Sequence, residues 1–325
     1  MSNARSLLAG RPDMTPARAE RLLSEHWGLV AQVRPLSSER DLNFAVAVGG
    51  VDRYVLKVAN GLDPRSAVDL QQEMMMRLLD RGLPVPDVVP TGGSSTVCCG
   101  DHPVWLIGLL PGSPMAYSEP TDETFVQLGR LIGRVSLALD GFDHPGARRS
   151  MQWDVQRADN VIAHYRPYVR DSTRGALLDR ELTHLQRRVL PVLDHLPRTV
   201  VHNDANDHNV LVDERGDITG LIDFGDALHS VRIHDLAVAC AYAMLDRDDP
   251  TTVAERIIAA YEAEFAATDV ELTAVPHLIR ARLATSVAIS AYQSRDVDDP
   301  YLRVSEEAAW TLLERWEGGA PWPTS

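Results

Sequence analysis

Lysine is almost absent from this sequence. Lys57 is the only lysine, and every other residue among the 32 lysines and arginines is an arginine. No run of about 18 apolar residues occurs, so no transmembrane helix is predicted. The first residues, MSNARSLLAGRPDM, also lack the long apolar segment of a signal peptide. We therefore expect a chain that is neither secreted nor associated with a membrane.

Cysteines and clusters of basic residues are also scarce. The three cysteines include the adjacent pair Cys98 and Cys99, which does not form a disulfide framework and favours a reducing, cytoplasmic location. The net charge is −14, and no cluster of lysine and arginine stands out, which argues against a nucleic-acid partner. An acidic field instead favours a small cationic substrate.

The first 110 residues predict a small sheet-rich lobe. A helix should begin after Thr15, a suitable N-cap. Residues 29–59 then alternate as an antiparallel meander, with Gly49-Gly50 as a hairpin turn. A helix near Pro64 is stopped by Gly82, and two further strand candidates follow, VVPTGG and HPVWLIGLL.

Helical patterns dominate residues 111–325, after a boundary segment rich in proline and glycine at 111–114. One β-rich interruption spans residues 199–223. The predicted fold class is therefore α+β, with a lobe at 1–110 and a larger, mainly helical lobe at 111–325. The helices are predicted at about 121–140, 153–170, 173–196, 232–247, 251–268, 273–294 and 302–316.

Two polar clusters interrupt the β-rich segment. The stretch VVHNDANDHNVLV contains Asp204 and Asn209, and GLIDFGD places Asp223 directly after an apolar run. The residues between them predict a hairpin that turns at residues 214–216. Because a hairpin brings its two ends together, we expect Asp204, Asn209 and Asp223 to lie close to one another.

These residue types suit phosphoryl transfer. Mg²⁺ takes oxygen ligands and keeps several waters, so Asn209 and Asp223 would be sufficient protein ligands beside nucleotide phosphates. Asp204 would then accept the proton of an attacking hydroxyl as the catalytic base. Such a site needs a cation on the phosphates, and Lys57 is suitable. Glu73, on the helix that follows, is the candidate partner of Lys57.

These motifs resemble the aminoglycoside phosphotransferase / choline kinase superfamily, which has a bilobal protein-kinase-like fold. The resemblance spans roughly residues 25–315 and implies Asp204 as the base, Asn209 and Asp223 as Mg²⁺ ligands, and ATP or GTP as the phosphate donor. It also identifies HPVWLIGLLPG as a hinge, so that Trp105 and Ile107 are predicted to meet the nucleotide. Asp235 resembles the structural aspartate of this superfamily, and we expect it to anchor a loop or cap a helix.

Two features depart from the superfamily pattern. Asn203 stands where glycine is usual, and no GxGxxG loop covers the phosphates. In its place is SSERDLNF, where Ser37 and Ser38 are predicted to cap phosphate oxygens. Arg40 would either add positive charge there or pair with Asp41.

Within the superfamily, the sequence most resembles the hydroxylysine kinase branch, which implies a hydroxylated amine or amino acid as acceptor. Phosphorylation would give a product suited to elimination by a separate pyridoxal-phosphate-dependent lyase. Carboxylates would bind the substrate ammonium, Trp153 would add a cation–π contact, and an arginine would bind a substrate carboxylate. The candidates are Asp154, Asp207 and Asp226 for the ammonium, and Arg157 and Arg232 for the carboxylate.

Alternative functions remain at this point. The nearest are an antibiotic-modifying phosphotransferase, acting on an aminoglycoside or a peptide antibiotic, and a choline-type or homoserine-type kinase. A protein kinase is disfavoured because a helix is predicted near Arg232, which leaves little room for an activation segment. A metal-dependent hydrolase would leave Lys57 unexplained, and an inactive binding module would leave the complete set of site residues unexplained.

Overall fold

The structure, a computed structural model, describes residues 10–38, 40–294 and 306–317. Its contacts divide the chain into two compact units. The first unit comprises the described residues up to Pro111 together with Gly220–Gly225, and the second comprises Gly112–Thr219 and the described residues from Asp226 onward. The sequence predicted one continuous lobe after residue 110, whereas the structure groups a short segment of that region with the first unit. The Leu221 N–H donates to Pro84 O at 2.9 Å within the first unit.

An antiparallel sheet forms most of the first unit. Its strands are Gln32–Leu36 (β1), Leu42–Val48 (β2), Val51–Val58 (β3), Val88–Val89 (β4), Val97–Cys99 (β5) and His102–Gly108 (β6). The strand order is β1-β2-β3-β6-β4, and β5 pairs with β6. The predicted hairpin is confirmed: Val48 pairs with Val51, and Gly49 and Gly50 have φ values of 62° and 81°, which a tight hairpin turn requires.

The register of this sheet assigns opposite roles to its two faces. Phe44, Leu56 and Leu106 are neighbours across β2, β3 and β6, and all three are fully buried in the core cluster. Side chains alternate along a strand, so the next row across the same three strands projects from the other face. That row is Asn43, Lys57 and Trp105.

Among its described residues, the first unit has two helices, Pro16–Trp27 (α1) and Arg65–Leu79 (α2). The predicted N-cap of α1 is confirmed, because the Thr15 side chain accepts a hydrogen bond from the Arg18 N–H. Ala19 and Leu23 of α1 are buried in the same core cluster as the sheet residues. The buried face of α2 includes Leu70, Gln71, Met74 and Leu78.

The second unit is mainly helical. Its helices are Asp122–Leu139 (α3), Ala158–Tyr165 (α4), Ser172–His184 (α5), Leu190–Leu193 (α6), His234–Ala243 (α7), Pro250–Glu264 (α8), Asp269–Gln293 (α9) and Glu306–Glu317 (α10). The predicted helix at 302–316 extends at its start outside the described residues. All residues of α7 are buried, so its side chains are held by packing on every side.

The remaining short strands are Ser113–Pro114 (β7), Arg198–Val201 (β8), Val210–Val212 (β9) and Leu228–Val231 (β11) in the second unit, and Ile218–Leu221 (β10), whose residues are divided between the two units. β11 pairs with β8 antiparallel, and β7 pairs with β9. The loop that links β8 to β9 holds the conspicuous polar stretch of the sequence. Within the described part of the chain, no helix is both long and apolar enough to cross a bilayer.

Candidate active site

The loop after β8 is anchored by Asp235, which lies near the start of α7. Its carboxylate accepts hydrogen bonds from the backbone N–H groups of His202 at 2.9 Å and Asn203 at 2.7 Å. Burial raises the pKa of Asp235 to about 6, against the opposing effect of these two donors. The predicted role of Asp235 as a loop anchor is confirmed.

Asn203 and His202 give this loop its shape. Asn203 has a φ of 70°, in the left-handed region that asparagine tolerates better than most residues other than glycine. The backbone conformation therefore explains why glycine is usual at this position of the superfamily. The Asp204 N–H donates to Nδ1 of His202 at 3.3 Å, so His202 shapes the turn.

The carboxylate of Asp204 is held in one orientation by several donors. Oδ1 accepts from Asn206 Nδ2 at 3.0 Å and from Arg282 Nη2 at 2.6 Å. Oδ2 accepts from Asn209 Nδ2 at 2.8 Å, and the same amide group also donates to the Asp204 carbonyl at 2.8 Å. A carboxylate fixed in this way is a preorganised proton acceptor.

Arg282, on α9, is the residue of this site that the sequence analysis missed. It is 3% exposed, and besides Asp204 it donates to Tyr242 Oη at 3.3 Å and to the Asn203 carbonyl at 3.4 Å. Its guanidinium lies 4.4 Å from the Trp153 ring centroid and 5.3 Å from that of Tyr242. Burial opposes the charge, but Tyr242 and Asp204 outweigh it and raise the pKa of Arg282. The only signal in the sequence was an arginine within the apolar run LIRARLATSVA.

Lys57 is buried in the first unit and forms an ion pair there. Its Nζ lies 3.4 Å from Asp223 Oδ1 and 5.7 Å from the Trp105 ring centroid. Burial alone would lower the pKa of Lys57, but the charges of Asp223 and Asp41 raise it above its ordinary value. The only lysine of the chain is therefore held as a cation on the face of the sheet opposite to the core.

Asp223 has features of a metal ligand. Its φ is 61°, a strained conformation for a residue other than glycine, and its side chain is 55% exposed despite the contact with Lys57. Asn209 directs Nδ2 toward Asp204, and its amide oxygen accepts no hydrogen bond from any residue the structure describes. Carboxylate and amide oxygens fit Mg²⁺, which needs few protein ligands when phosphates and water complete its shell. In line with this, no group of three or more His, Cys, Asp or Glu in the described ranges is arranged to hold a metal ion.

The structure corrects the expectation for Glu73. Its side chain is exposed on α2, and the carboxylate in ion-pair contact with Lys57 belongs to Asp223. The reason is the helical period: Glu73 shares an outward stripe with Asp69 and Met76, whereas Gln72 and Met74 on either side are buried.

The predicted phosphate loop, SSERDLNF, differs from the sequence prediction in the partner of Arg40. Arg40 does not pair with Asp41; its Nη2 donates to Asp63 Oδ1 at 2.6 Å. Asp41 instead accepts from the Asn60 N–H at 3.0 Å. Ser37 is exposed, and the Ser38 carbonyl accepts from Arg11. The hydroxyl roles of the two serines stay predictions.

The two hinge residues lie inside the sheet. Trp105 is fully buried and pairs with Lys57, whereas Ile107 pairs with Val55 on one side and Val88 on the other. Ile107 thus has a neighbouring strand on each side, and its contact with a nucleotide stays a prediction. In the structure, Ile107 lies between two strands of the sheet, and Trp105 lies beside Lys57.

Three substrate candidates are engaged with the protein itself, which corrects their assignment. Arg232 makes a bidentate pair with the buried Glu271, at 2.6 and 2.9 Å. Asp154 is buried and accepts from the Ser230 hydroxyl and the Gln156 N–H. The ring of Trp153 packs against Arg282, a cation supplied by the chain. Their apparent polarity in the sequence reflects these long-range internal contacts.

The remaining substrate candidates occupy different environments. Arg157 is exposed. Asp226 lies close enough to Arg282 for its charge to raise the pKa of that guanidinium. Asp207 lines a pocket of the second unit, and burial raises the pKa of its carboxyl above the ordinary value. Thus the structure brings Asp204 and Asn209 together in the second unit and Lys57 and Asp223 together in the first.

Comparisons with known proteins agree with this picture. A family model described as "Phosphotransferase enzyme family" matches residues 32–272. The hydroxylysine kinase of Mus musculus is 26% identical over 343 aligned residues, covering 95% of this chain and 91% of that protein.

Two solved structures share the fold. A microcompartment-associated aminopropanol kinase superposes with a TM-score of 0.71 at 19% identity, covering 92% of this chain and 97% of its own. An amicoumacin kinase, solved with AMP-PNP, Ca²⁺ and its antibiotic, superposes with a TM-score of 0.64 at 14% identity, covering 90% of each chain. The predicted α+β fold of protein-kinase-like phosphotransferases is confirmed.

Proposed function

Since the chain belongs to the phosphotransferase enzyme family and is a small-molecule kinase, we propose that it transfers the γ-phosphate of ATP or GTP to a hydroxyl of an amino alcohol or a hydroxylated amino acid, with Asp204 as the base. The acceptor is of the hydroxylysine type. Its amino group is cationic, in keeping with the acidic chain.

The fixed carboxylate of Asp204 is the observation that carries this proposal. Oδ1 accepts hydrogen bonds from Arg282 and Asn206, and Oδ2 accepts one from Asn209, so the carboxylate is fixed as a proton acceptor. The acceptor oxygen would attack the γ-phosphorus, the bond from that phosphorus to the β,γ-bridging oxygen would break, and the hydroxyl proton would pass to Asp204. Arg282 donates a hydrogen bond to the Asp204 carboxylate and fixes the direction in which it points. Orientation is therefore its main contribution.

The nucleotide phosphates would meet the cationic Lys57. Because Nζ is buried and its charge is maintained by Asp223 and Asp41, it offers a compact, weakly screened positive charge. Asp223 and Asn209 would hold Mg²⁺, which when bound neutralises phosphate charge and orients the γ-phosphoryl group.

A screen of nucleotide consumption tests this function. Purified protein with Mg²⁺ and either ATP or GTP would be offered hydroxylysine, ethanolamine, choline, homoserine, threonine and several aminoglycosides. We expect turnover with at least one hydroxylated amine or amino acid and little with choline, which has no ammonium hydrogens to donate. Turnover confined to aminoglycosides or peptide antibiotics would instead favour an antibiotic-modifying phosphotransferase. The fold that this chain shares with the amicoumacin kinase is the reason to include that alternative in the screen.

A further inference from the structure

A small pocket in the second unit has opposite charges in its wall. Its volume is about 120 Å³, and its lining includes Asp207, Tyr242, Leu245, Asp246, Arg247 and Ala308. Pockets for drug-sized ligands run to several hundred Å³. This pocket therefore suits one head group of a ligand, with room for only a few heavy atoms.

Asp207 and Arg247, two charged side chains of this pocket, each have one buried atom without a hydrogen-bond partner among the described residues. Asp207 Oδ1 and Arg247 Nε are both shielded from solvent, and neither has a hydrogen-bond partner among the described residues. No ion pair joins Asp207 to Arg247 among the described residues, although both line the same pocket. A buried polar atom without a hydrogen-bond partner is costly, so these two atoms in one pocket point to a ligand.

Other residues of the pocket support a built site. Arg247 is held over the Phe125 ring at 5.8 Å, which orients its guanidinium. Asp246 has a φ of 56°, one of three positive values among the described residues other than glycine. The other two are Asn203 and Asp223, both in the candidate active site, where strained backbone is commonly found.

Two residues of the pocket, Asp207 and Tyr242, link it to the proposed base, Asp204. Asp207 belongs to the same loop as Asp204, and its carbonyl accepts from the Ala116 N–H at 3.0 Å. Tyr242, in the pocket wall, accepts a hydrogen bond from Arg282, which in turn donates to Asp204. A single side chain therefore separates the wall of the pocket from the carboxylate that would receive the proton.

We propose that this pocket binds the head group of an α-amino acid acceptor, with Asp207 receiving the ammonium and Arg247 the carboxylate. This assignment rests on the proposed function and narrows it from hydroxylated amines in general to amino acids. In this assignment Arg247 binds the substrate carboxylate. Arg232, which was predicted for that role, is paired with Glu271 instead. A ligand with both charges would give a partner to both Asp207 Oδ1 and Arg247 Nε, whereas an amine would leave Arg247 Nε without one.

Matched substrates that differ only in the carboxylate test the proposal. The pairs are 5-hydroxylysine and the amine formed by its decarboxylation, homoserine and 3-amino-1-propanol, and threonine and 1-amino-2-propanol. For the best-used pair, kcat/KM should be about 100-fold higher for the amino acid, the size expected for a bidentate charged contact. Arg247→Gln should remove this preference by lowering kcat/KM for the amino acid, with the amine changed by less than about threefold.

Further variants separate recognition from folding. Arg247→Lys keeps the charge and should restore part of the preference. Asp207→Asn should lower kcat/KM for both members of a pair, since both carry the ammonium. Arg148→Gln, at an exposed ion pair with Asp143, is the matched control and should change neither.

The outcomes distinguish this inference from the function on which it rests. Equal use of amino acid and amine, or a preference that Arg247→Gln leaves intact, would overturn the inference while the kinase with a hydroxylated-amine acceptor stands. Turnover of neither member of any pair, with nucleotide still bound, would overturn both.

Discussion

Arg282 donates a hydrogen bond to the carboxylate of Asp204 at 2.6 Å from a position that is almost completely buried. The two residues are 78 positions apart in sequence. The guanidinium lies against the rings of Trp153 and Tyr242, which help to hold it beside Asp204. We therefore regard Arg282 as the positioning residue of the base.

Replacing Arg282 by lysine should impair turnover more than nucleotide binding. A lysine keeps the charge but loses the planar fork that contacts Asp204, Asn203 and Tyr242 together. We expect kcat to fall by about 10- to 100-fold while the nucleotide Kd changes by less than about threefold. Steady-state kinetics and calorimetry would measure the two quantities. Arg280→Lys is the control on the same helix, because Arg280 pairs with Glu181 instead. Equal losses in the two variants would contradict a specific role for Arg282.

Lys57→Ala should weaken nucleotide binding. The buried ammonium is the only lysine charge of the chain, and a phosphate bound to it in a poorly solvated site is stabilised more strongly than one in water. We expect the Kd for ATP to rise by about 10- to 100-fold. Glu73→Gln is the informative comparison: since Glu73 is exposed on α2, its effect should stay below about threefold. A larger effect of Glu73→Gln than of Lys57→Ala would reverse these assignments.

Asp223→Asn should change the response to magnesium. The substitution keeps an oxygen ligand but removes a negative charge and the partner of Lys57. Activity titrated with Mg²⁺ at fixed nucleotide should show a half-maximal concentration raised at least about tenfold. Removing divalent ions with EDTA should abolish activity, and restoring Mg²⁺ should recover it. An unchanged magnesium requirement in Asp223→Asn would exclude this carboxylate as a ligand.

Asp235 should make stability depend on pH in a predictable direction. Burial raises its folded pKa to about 6, whereas an unfolded aspartate has a pKa of about 3.9. The folded state therefore holds this proton more tightly, and the stabilisation is greatest below about pH 4 and is lost as pH rises through about 6.

Asp235→Asn removes this titration along with the loop anchor. The loss in free energy of unfolding that it causes should be about 1 kcal/mol larger at pH 5 than at pH 8. Urea denaturation of both proteins at the two pH values measures it. A loss that is the same at both values would mean that the carboxyl does not carry a raised pKa.

Local patterns were enough to predict part of this site. The Gly49-Gly50 hairpin, the N-cap Thr15 and the anchor Asp235 each depend on neighbours close in sequence or on a recognisable motif. Arg282 could not be predicted, because nothing near it in sequence shows that it meets Asp204. The same is true of Arg232, whose partner Glu271 lies on a distant helix. Glu73 was misplaced because a shift of one residue around a helix exchanges its buried and exposed faces.

The central claim is that Asp204 receives the proton of a hydroxylated acceptor during phosphoryl transfer. Transfer of labelled γ-phosphate from ATP to the best acceptor of the substrate screen tests it most directly, in the wild type, in Asp204→Asn and in the exposed control Asp194→Asn. Our account predicts that Asp204→Asn lowers kcat by at least about a thousandfold while the nucleotide Kd stays within about threefold, and that Asp194→Asn matches the wild type. Near-normal transfer by Asp204→Asn, or a loss confined to nucleotide binding, would contradict it.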